Sequence, residues 1–282
     1  MKWAFFGTTD FAAIILQKFI QNNFLPSLVI TNPDKPTGRK KIITPPPVKI
    51  VALQNQLKIW QPENLNLENP NEDKYDFGFL AAYGKIIPPQ IINLFPLGII
   101  VAHPSLLPKY RGPTPLQSFI LSGEKETGVT LFLMDEKIDH GPILAQKTIS
   151  ENEINLEEIT YQTLHNKLAE ISADLFLEII PKFLAHQITP IPQNEKLATY
   201  TKKFTGEDAF ILEEDLKKAI ENGGNEAIII NRKIRALNPE PGVWTMKNGK
   251  RIKLLKAKMV DGKLKLIQIQ KEGKKPEFNS QI

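Results

Sequence analysis

The chain has no cysteine, and only four of its 282 residues are histidine. Without cysteine there can be no disulfide bond, no thiolate metal site and no cysteine nucleophile. The histidines show no metal-ligand spacing, so we expect no bound metal. The most apolar stretch, residues 77–102, contains one lysine and three prolines, which excludes a membrane-spanning helix there. The N-terminal residues also lack the apolar region of a signal peptide, and we expect a cytoplasmic protein.

The remaining composition is that of a globular protein. Hydrophobic residues make up 41% of the chain and charged residues 24%. These proportions exclude a disordered or collagen-like chain. A length of 282 residues accommodates two domains.

Positive charge is concentrated towards the C-terminus. Residues 1–190 contain 17 Lys and Arg against 19 Asp and Glu, whereas residues 191–282 contain 19 against 12. A second basic cluster lies in a proline-rich stretch near the N-terminus and consists of Lys35, Arg39, Lys40, Lys41 and Lys49. Two separate basic patches favour a long polyanionic partner, although a solvated lysine-rich surface would have the same composition.

The N-terminal half alternates apolar runs with helical patterns, which favours a parallel sheet joined by crossover helices. The predicted strands are residues 3–6, 27–30, 58–60, 77–81, 99–102 and 128–134. Helices are predicted from Thr9 or Asp10, from about Val48, and over 156–184. A second part then begins after an extended linker. It comprises a helical stretch to Arg235 and short alternating runs at 243–246, 252–259 and 264–270, typical of a small antiparallel barrel or sheet.

Several common nucleotide and hydrolase motifs are missing. Gly7 follows the first predicted strand, but GTTDFA lacks the other two glycines of a dinucleotide fingerprint, which disfavours a nicotinamide cofactor. The sequence also has no GxxxxGK[ST] phosphate loop and no GxSxG nucleophile elbow.

His103 is the candidate catalytic residue, because it follows the apolar run 99–102 and parallel sheets bind ligands beyond the carboxyl ends of their strands. Asp139 lies in the turn after the next predicted strand, where its carboxylate could orient the imidazole for general acid–base chemistry. A structural histidine is the alternative. His140 competes from the same turn, although we prefer an exposed position for it. His165 and His186 are expected to be structural or solvent-facing.

Two segments resemble the folate-dependent formyltransferases, which use 10-formyltetrahydrofolate: HPSLLPKYRGPTPLQ, from His103, and ETGVTLFLMDEKIDHGPIL, from Glu126. Three further segments are similar to the methionyl-tRNA formyltransferases within that family: FFGTTDFAA, NPDKPTGRKKIITPPPVK and IRALNPEPGVWT. The resemblance runs in order from residue 2 to residue 259, and so covers nearly the whole chain.

This resemblance implies an α/β fold, with a Rossmann-like parallel-sheet formyltransferase domain and a small, shortened OB-like β-barrel. We assign residues 1–186 to the catalytic domain, 187–206 to a linker and 207–282 to a C-terminal tRNA-binding domain. It also implies that His103 and Asp139 belong to an Asn–His–Asp catalytic set.

The resemblance further implies binding residues for the two substrates. Folate is expected to contact Tyr83, Gly84, Lys85, Ile86, Ile87, Ser105, Leu106, Leu107 and Pro108. Initiator tRNA is expected to contact Lys35, Arg39, Lys40, Lys41, Lys247, Lys250 and Arg251, and its phosphate contacts would be salt-sensitive.

The sequence departs from the family pattern at Val101, where the family has the asparagine of its catalytic set. That asparagine is expected to donate to the formyl oxygen as negative charge develops, and losing one such donor typically costs about 100- to 1,000-fold in turnover. Either another side chain, a backbone amide or water supplies the hydrogen bond, or the protein is slow or inactive. Relative to the family pattern we also expect a shortened barrel, and NGGNEA, before Ile228, interrupts that pattern.

The leading hypothesis is formyl transfer from 10-formyltetrahydrofolate to the α-amino group of methionyl-initiator tRNA by a monomer, for translation initiation. One alternative is an N-formyltransferase acting on a nucleotide-linked amino sugar, which would leave the C-terminal lysines without a role. Another is a tRNA- or folate-binding protein with weak catalysis, supported only by Val101.

Overall fold

The computed structural model describes residues 1–38, 40–65 and 74–278, and these residues form two compact units. The first unit comprises residues 1–111, 128–148 and 165–199. The second comprises residues 112–127, 149–164 and 200–282. The domain boundaries derived from the sequence, at residues 186 and 206, stay a prediction.

The regular elements follow the chain in this order. The strands are β1 Trp3–Gly7, β2 Leu28–Ile30, β3 Lys35–Thr37, β4 Ile42–Thr44, β5 Ile59–Trp60, β6 Phe77–Ala81, β7 Ile99–His103, β8 Glu126–Leu133, β9 Ile143–Ser150, β10 Trp244–Lys247, β11 Lys250–Val260, β12 Lys263–Lys271 and β13 Glu277–Phe278. The helices are α1 Asp10–Gln21, α2 Pro47–Gln54, α3 Pro89–Ile92, α4 Pro115–Ser122, α5 Tyr161–Leu184, α6 Glu213–Glu221 and α7 Gly224–Ala236, with a 3₁₀ helix at Glu195–Leu197.

Within these described ranges, the large sheet has seven strands in the order β5-β2-β1-β6-β7-β8-β9. Adjacent strands from β5 to β7 are parallel, and β8 runs antiparallel to β7. The predicted Rossmann-like parallel sheet is therefore confirmed. The sheet extends the predicted run 99–102 by one residue, so that His103 ends β7 at the carboxyl edge.

The central strands β1, β2, β6 and β7 are buried on both faces, which explains why they read as continuous apolar runs. On one face, Trp3 stacks on Phe77 with ring centroids 5.6 Å apart. Phe176 of α5 packs against Phe79 at 4.6 Å. The opposite face carries a second cluster that includes Phe6.

Several elements of the structure were not predicted, among them the β3–β4 hairpin, β9 and α4. The strands β3 and β4 pair as an antiparallel hairpin within the expected proline-rich loop. Strand β9 contains exposed polar residues in its middle, which hide the apolar signal. Helix α4 begins at Pro115, and a proline at the first helical position is a start signal that could have been used.

The second unit contains the small antiparallel sheet and explains the NGGNEA segment. In the part of the chain that the structure describes, the sheet has four strands in the order β10-β11-β12-β13. The predicted helical stretch is two helices, α6 and α7, separated by Gly223. This glycine has φ +74°, and a Cβ there would overlap the carbonyl oxygen of Gly262. The segment therefore makes a turn that only glycine fits.

Asn238 fixes the NPEPG turn that follows α7. Its amide Nδ2 donates to the carbonyl oxygens of Ile234 and Leu254, each at 2.9 Å. Its Oδ1 accepts from the backbone N–H of Val243 at 3.2 Å. One side chain thus joins the end of α7 to β11, which accounts for asparagine at this position.

Candidate active site

His103 is a buried histidine, 5% exposed, at the carboxyl end of β7. Its Nε2 lies 2.9 Å from the carbonyl oxygen of Tyr110. Its Nδ1 lies 3.5 Å from Oδ2 of Asp139. A carbonyl oxygen only accepts, so Nε2 donates a hydrogen and Nδ1 faces the carboxylate. The ring can therefore gain or lose a proton at Nδ1 without breaking its bond to Tyr110.

Asp139 is carried by the loop between β8 and β9 in a backbone conformation that is uncommon for aspartate. Its φ is +47°, in the left-handed region. The base of the loop is closed by a hydrogen bond of 2.9 Å from the Leu133 N–H to the Pro142 carbonyl oxygen. At Gly141 a Cβ would overlap the carbonyl oxygen of Leu133. The close packing of this loop holds the carboxylate towards His103.

Thr130 of β8 anchors the SLLP loop, residues 105–108, beside the histidine. It is the Cα partner of His103 across the two strands. Its hydroxyl donates to the Ser105 carbonyl oxygen at 2.7 Å and accepts from the Leu107 N–H at 3.0 Å. Gln146 Nε2 donates to both Thr130 Oγ1 and the Leu107 carbonyl oxygen, each at 2.8 Å. The loop is thus held through its own backbone groups.

The four residues of the SLLP loop differ in exposure. Ser105 and Leu107 are 2% and 3% exposed, and the Ser105 hydroxyl donates to the Lys109 carbonyl oxygen. Leu106 and Pro108 are partly exposed. Leu106 and Pro108 are therefore the side chains of this loop that present surface to a ligand.

Val101 lies on the same face of β7 as His103, two residues earlier, and is buried among apolar side chains. It packs with Leu107 and Phe132, and the partly buried Met134 lies against the same cluster. This apolar surrounding fits valine and offers the side chain no polar partner. The catalytic-set asparagine expected from the resemblance has no side-chain substitute within the described part of this cluster.

The expected folate segment, residues 83–87, presents its even-numbered residues to solvent. Ile86 is 93% exposed, whereas Tyr83 and Ile87 are 1% and 6% exposed; Gly84 is also exposed. The Lys85 ammonium is partly buried and donates to the carbonyl oxygens of Pro62 and Glu63. Gly84 and Ile86 are therefore the accessible residues of this segment.

The polar groups beside this segment are incompletely satisfied. The Tyr83 carbonyl oxygen accepts from Thr8 Oγ1 and Asn32 Nδ2, each at 2.9 Å. Among the described residues, the buried Oδ1 of Asn32 and the hydroxyls of Thr31 and Tyr83 have no hydrogen-bond partner. Burial raises the pKa of Tyr83 to about 12, so the phenol stays protonated at neutral pH. An acceptor without a donor, such as Asn32 Oδ1, suits a ligand that carries N–H groups.

The basic segment near the N-terminus forms the β3–β4 hairpin, and both of its strands are exposed. Lys35, Lys40 and Lys41 are exposed, whereas Arg39 lies outside the described residues. Ile42 and Ile43 are 62% and 70% exposed. The hairpin thus presents positive charge together with apolar surface.

Asp34 and Lys49 close the base of this hairpin. Lys49 Nζ donates to both carboxylate oxygens of Asp34 at 2.8 Å, and Gln61 Nε2 donates to Asp34 Oδ1 at 2.9 Å. The Gln61 amide, followed by the Lys49 ammonium, lowers the pKa of Asp34. Lys49 of the basic cluster is therefore neutralised by Asp34.

The C-terminal basic residues lie on the small antiparallel sheet. Arg251 stacks on Trp244 at 4.3 Å from the ring centroid, and Lys247 and Lys250 flank the β10–β11 turn. Exposed lysines alternate with buried aliphatic residues along β11 and β12. Lys258 and Lys265 are directly opposed across these strands, and neither forms an ion pair within the described ranges. Like charges opposite each other destabilise a sheet unless a polyanion compensates them.

The other three histidines have separate environments. His140 contacts Asp135 through Nδ1, and its Nε2 lies 3.4 Å from a carboxylate oxygen of Glu195. His140 is therefore partly buried, and the exposed position expected for it is wrong. His165 is buried against Phe11, and His186 is exposed.

No three His, Asp or Glu side chains among residues 1–38, 40–65 and 74–278 are grouped to hold a metal ion. No helix in the same ranges is long and apolar enough to cross a membrane.

Sequence reasoning missed Thr130, Gln146, Arg111 and Gln193 as residues that shape this site. Thr130 is a polar residue within a buried strand, and that position could have been read as a hydrogen-bonding role. Arg111 and Gln193 are 82 residues apart and joined by hydrogen bonds. No local pattern in the sequence connects them.

Comparison with known proteins gives consistent matches along the chain. The formyl transferase family model matches residues 1–180, and the formyl transferase C-terminal domain model matches residues 224–265. The methionyl-tRNA formyltransferase of Kosmotoga olearia is 40% identical over 265 residues, which cover 93% of this chain and 81% of that protein.

Two solved structures share the fold at lower identity. A methionyl-tRNA formyltransferase from Clostridium thermocellum has a TM-score of 0.59 and 21% identity, covering 96% of this chain and 98% of that one. An N-formyltransferase from Helicobacter canadensis, in complex with folinic acid and dTDP-3-aminofucose, has a TM-score of 0.63 and 24% identity. It covers 93% of this chain and 88% of its own. At these identities the likeness shows the fold alone.

The hydrogen bonds that the Thr130 hydroxyl forms with the SLLP loop can be tested by substitution. The substitution Thr130→Val keeps the side-chain shape but leaves the Ser105 carbonyl, the Leu107 amide and the Gln146 amide short of a partner. We expect it to lower the free energy of unfolding by about 1–3 kcal/mol, measured by urea denaturation. Thr127→Val is the matched control, because Thr127 is buried on the same strand and its hydroxyl has no hydrogen bond within the described ranges. Equal losses in the two variants would contradict the anchoring role.

Proposed function

Because the chain belongs to the methionyl-tRNA formyltransferase family, we propose that it transfers a formyl group from 10-formyltetrahydrofolate to the α-amino group of methionyl-initiator tRNA, for translation initiation. The observation that carries this proposal is the pairing of His103 with Asp139 at 3.5 Å, at the carboxyl end of β7. We further propose a monomeric, cytoplasmic enzyme. No metal enters the proposed chemistry.

The proposed catalytic role of His103 follows from the two partners of its ring. The methionyl amine attacks the formyl carbon and must lose a proton, while the bond from that carbon to N10 of the folate breaks and N10 takes up a proton, so that tetrahydrofolate leaves. His103 can hold a proton at Nδ1 or release it to Asp139, while the bond from Nε2 to Tyr110 keeps the ring in place. Asp139 orients the ring and stabilises its protonated form. Their low exposure limits access of water to the pair.

Residues beside the carboxyl ends of β2 and β6 fit the proposed folate. Its pterin ring carries amino and N–H donors, and Asn32 Oδ1 is a buried acceptor without a donor in the described part of the chain. Ile86, with 93% of its surface exposed, offers apolar contact to such a ring. Leu106 and Pro108 present the accessible surface of the SLLP loop. We propose these residues, with Gly84, as the folate contacts.

The proposed tRNA contacts rest on exposed charge in both units. Lys35, Lys40 and Lys41 project from the hairpin whose base Asp34 and Lys49 close. In the second unit, the lysines of β11 and β12 form a row with Lys250 and Arg251 at one end. Phosphates of tRNA would offset the repulsion within this row, and binding would then weaken as salt concentration rises.

A nucleotide-linked amino sugar is the weaker candidate acceptor. The structural likeness to an enzyme crystallised with dTDP-3-aminofucose is at 24% identity, whereas the curated relative at 40% identity is a methionyl-tRNA enzyme. The row of lysines on β11 and β12 would contact the phosphates of a tRNA, whereas it would have no role in binding a sugar nucleotide.

The proposed function is tested by single-turnover formylation of methionyl-initiator tRNA with 10-formyltetrahydrofolate. We expect the wild-type protein to formylate the tRNA, and His103→Ala to reduce the rate by about 100- to 10,000-fold, because it removes the general acid–base group. His186→Ala, an exposed histidine far along the chain from the pair, is the matched control. Tight tRNA binding without formylation by the wild-type protein would indicate a binding protein instead.

Val101 gives a second test, which concerns the missing side-chain donor. We expect Val101→Asn to raise the single-turnover rate by about 100-fold, the lower end of the roughly 100- to 1,000-fold that one correctly placed donor to a developing oxyanion typically contributes. Val101→Leu serves as the control, since leucine adds volume without a donor. The fraction of folded protein is measured for each variant, because a buried amide also lowers stability. An unchanged rate in Val101→Asn would mean that another group already fills the role.

A further inference from the structure

Arg111 is the most deeply buried charged side chain near the site, with no exposed surface. Its Nη1 and Nη2 donate to the two carboxylate oxygens of Glu195 at 3.0 and 2.6 Å. Its Nε and Nη2 also donate to Gln193 Oε1, at 3.1 and 2.8 Å. The bond from Arg111 lowers the pKa of Glu195, which keeps that carboxylate ionised opposite the buried cation. The guanidinium thus binds both side chains in a fixed planar geometry.

Arg111 determines which way the Gln193 amide faces. Because Oε1 accepts from the guanidinium, the NH₂ group must point away from it. Gln193 Nε2 donates to the carbonyl oxygens of Asp139 and Gly141, each at 2.9 Å. Both amide hydrogens are therefore used on the loop that carries the proposed catalytic carboxylate.

The loop needs this support because Asp139 has a left-handed backbone conformation, at φ +47°. A residue with a Cβ meets steric strain in that region, and such a conformation persists only where surrounding contacts hold it. Gln193 holds the backbone on both sides of residue 140. Glu195 reaches the same loop through His140, at 3.4 Å. The contacts converge on the backbone that sets the position of the Asp139 carboxylate.

We propose that Arg111 and Gln193 are positioning residues for Asp139, acting through the backbone of residues 139–141 to hold its carboxylate opposite His103. This inference rests on the proposed function, because it assigns the positioning to formyl transfer. It also gives a role to the expected linker, residues 187–206, which contains Gln193. Neither residue is assigned a contact with a substrate.

The test replaces Gln193 rather than the fully buried Arg111, whose loss could prevent folding. Gln193→Glu keeps the shape and removes the NH₂ donors. We expect kcat to fall by about 10- to 100-fold, because displacement of a reacting group by about 1 Å has effects of this size. We expect the KM values for tRNA and folate to stay within about twofold, since no binding contact is removed. Gln187→Glu is the matched control, because Gln187 is exposed and its side chain has no hydrogen bond within the described ranges.

A double-mutant cycle distinguishes positioning from a general structural role. If Gln193 acts through Asp139, then Gln193→Glu should have little further effect on kcat in an Asp139→Asn background. A loss of the same size in both backgrounds, or no loss in the single variant, would overturn the proposal.

A structural readout keeps this test separate from the proposed function. Hydrogen–deuterium exchange in residues 135–142 should become faster in Gln193→Glu and stay unchanged in Gln187→Glu, whether or not any acceptor is formylated. If the wild-type protein lacks formylation activity and exchange is still faster in Gln193→Glu than in the wild type, the loop contact is supported while the proposed function fails. Unchanged exchange in Gln193→Glu would overturn the proposed contact, even if the wild-type protein formylates tRNA.

Discussion

The contact between His103 and Asp139 is the interaction on which the rest of the site depends. A titratable ring at the end of a buried strand is useful only if its partners are fixed, because a misplaced carboxylate neither orients the ring nor stabilises its protonated form. The surrounding contacts meet this requirement through the backbone. Thr130 holds the loop after His103, and Gln193 holds the loop that carries Asp139. These hydrogen bonds go to backbone groups and not to the His103 or Asp139 side chain.

Much of the fold could be predicted because burial on both faces of the parallel sheet leaves a plain apolar signal. The strands 77–81 and 99–102 were predicted almost to the residue, and the carboxyl edge that carries His103 followed from them. Strand prediction from apolar runs failed where tertiary contacts, and not local composition, determine the structure. Strand β9 has polar residues in its middle, and the β3–β4 hairpin lies in a proline-rich stretch. Both depend on pairing partners that periodicity does not reveal.

The candidate site was predictable only for residues with a local motif. His103 and Asp139 stand out in HPSLLP and DEKIDHGP, whereas Arg111 and Gln193 are joined across 82 residues without a shared pattern. Exposure also could not be derived from the motifs. The Lys85 ammonium donates hydrogen bonds to backbone carbonyl oxygens, and Leu107 is buried against Val101. The apolar surroundings of Val101 explain why valine fits there physically.

Competition between two acceptors tests the central claim most directly. The purified protein would receive 10-formyltetrahydrofolate together with equal concentrations of methionyl-initiator tRNA and a dTDP-linked amino sugar, and both products would be quantified by mass spectrometry. The account predicts that the formyl group is found on the methionyl amine of the tRNA. Formylation of the amino sugar, with the tRNA unchanged, would contradict it.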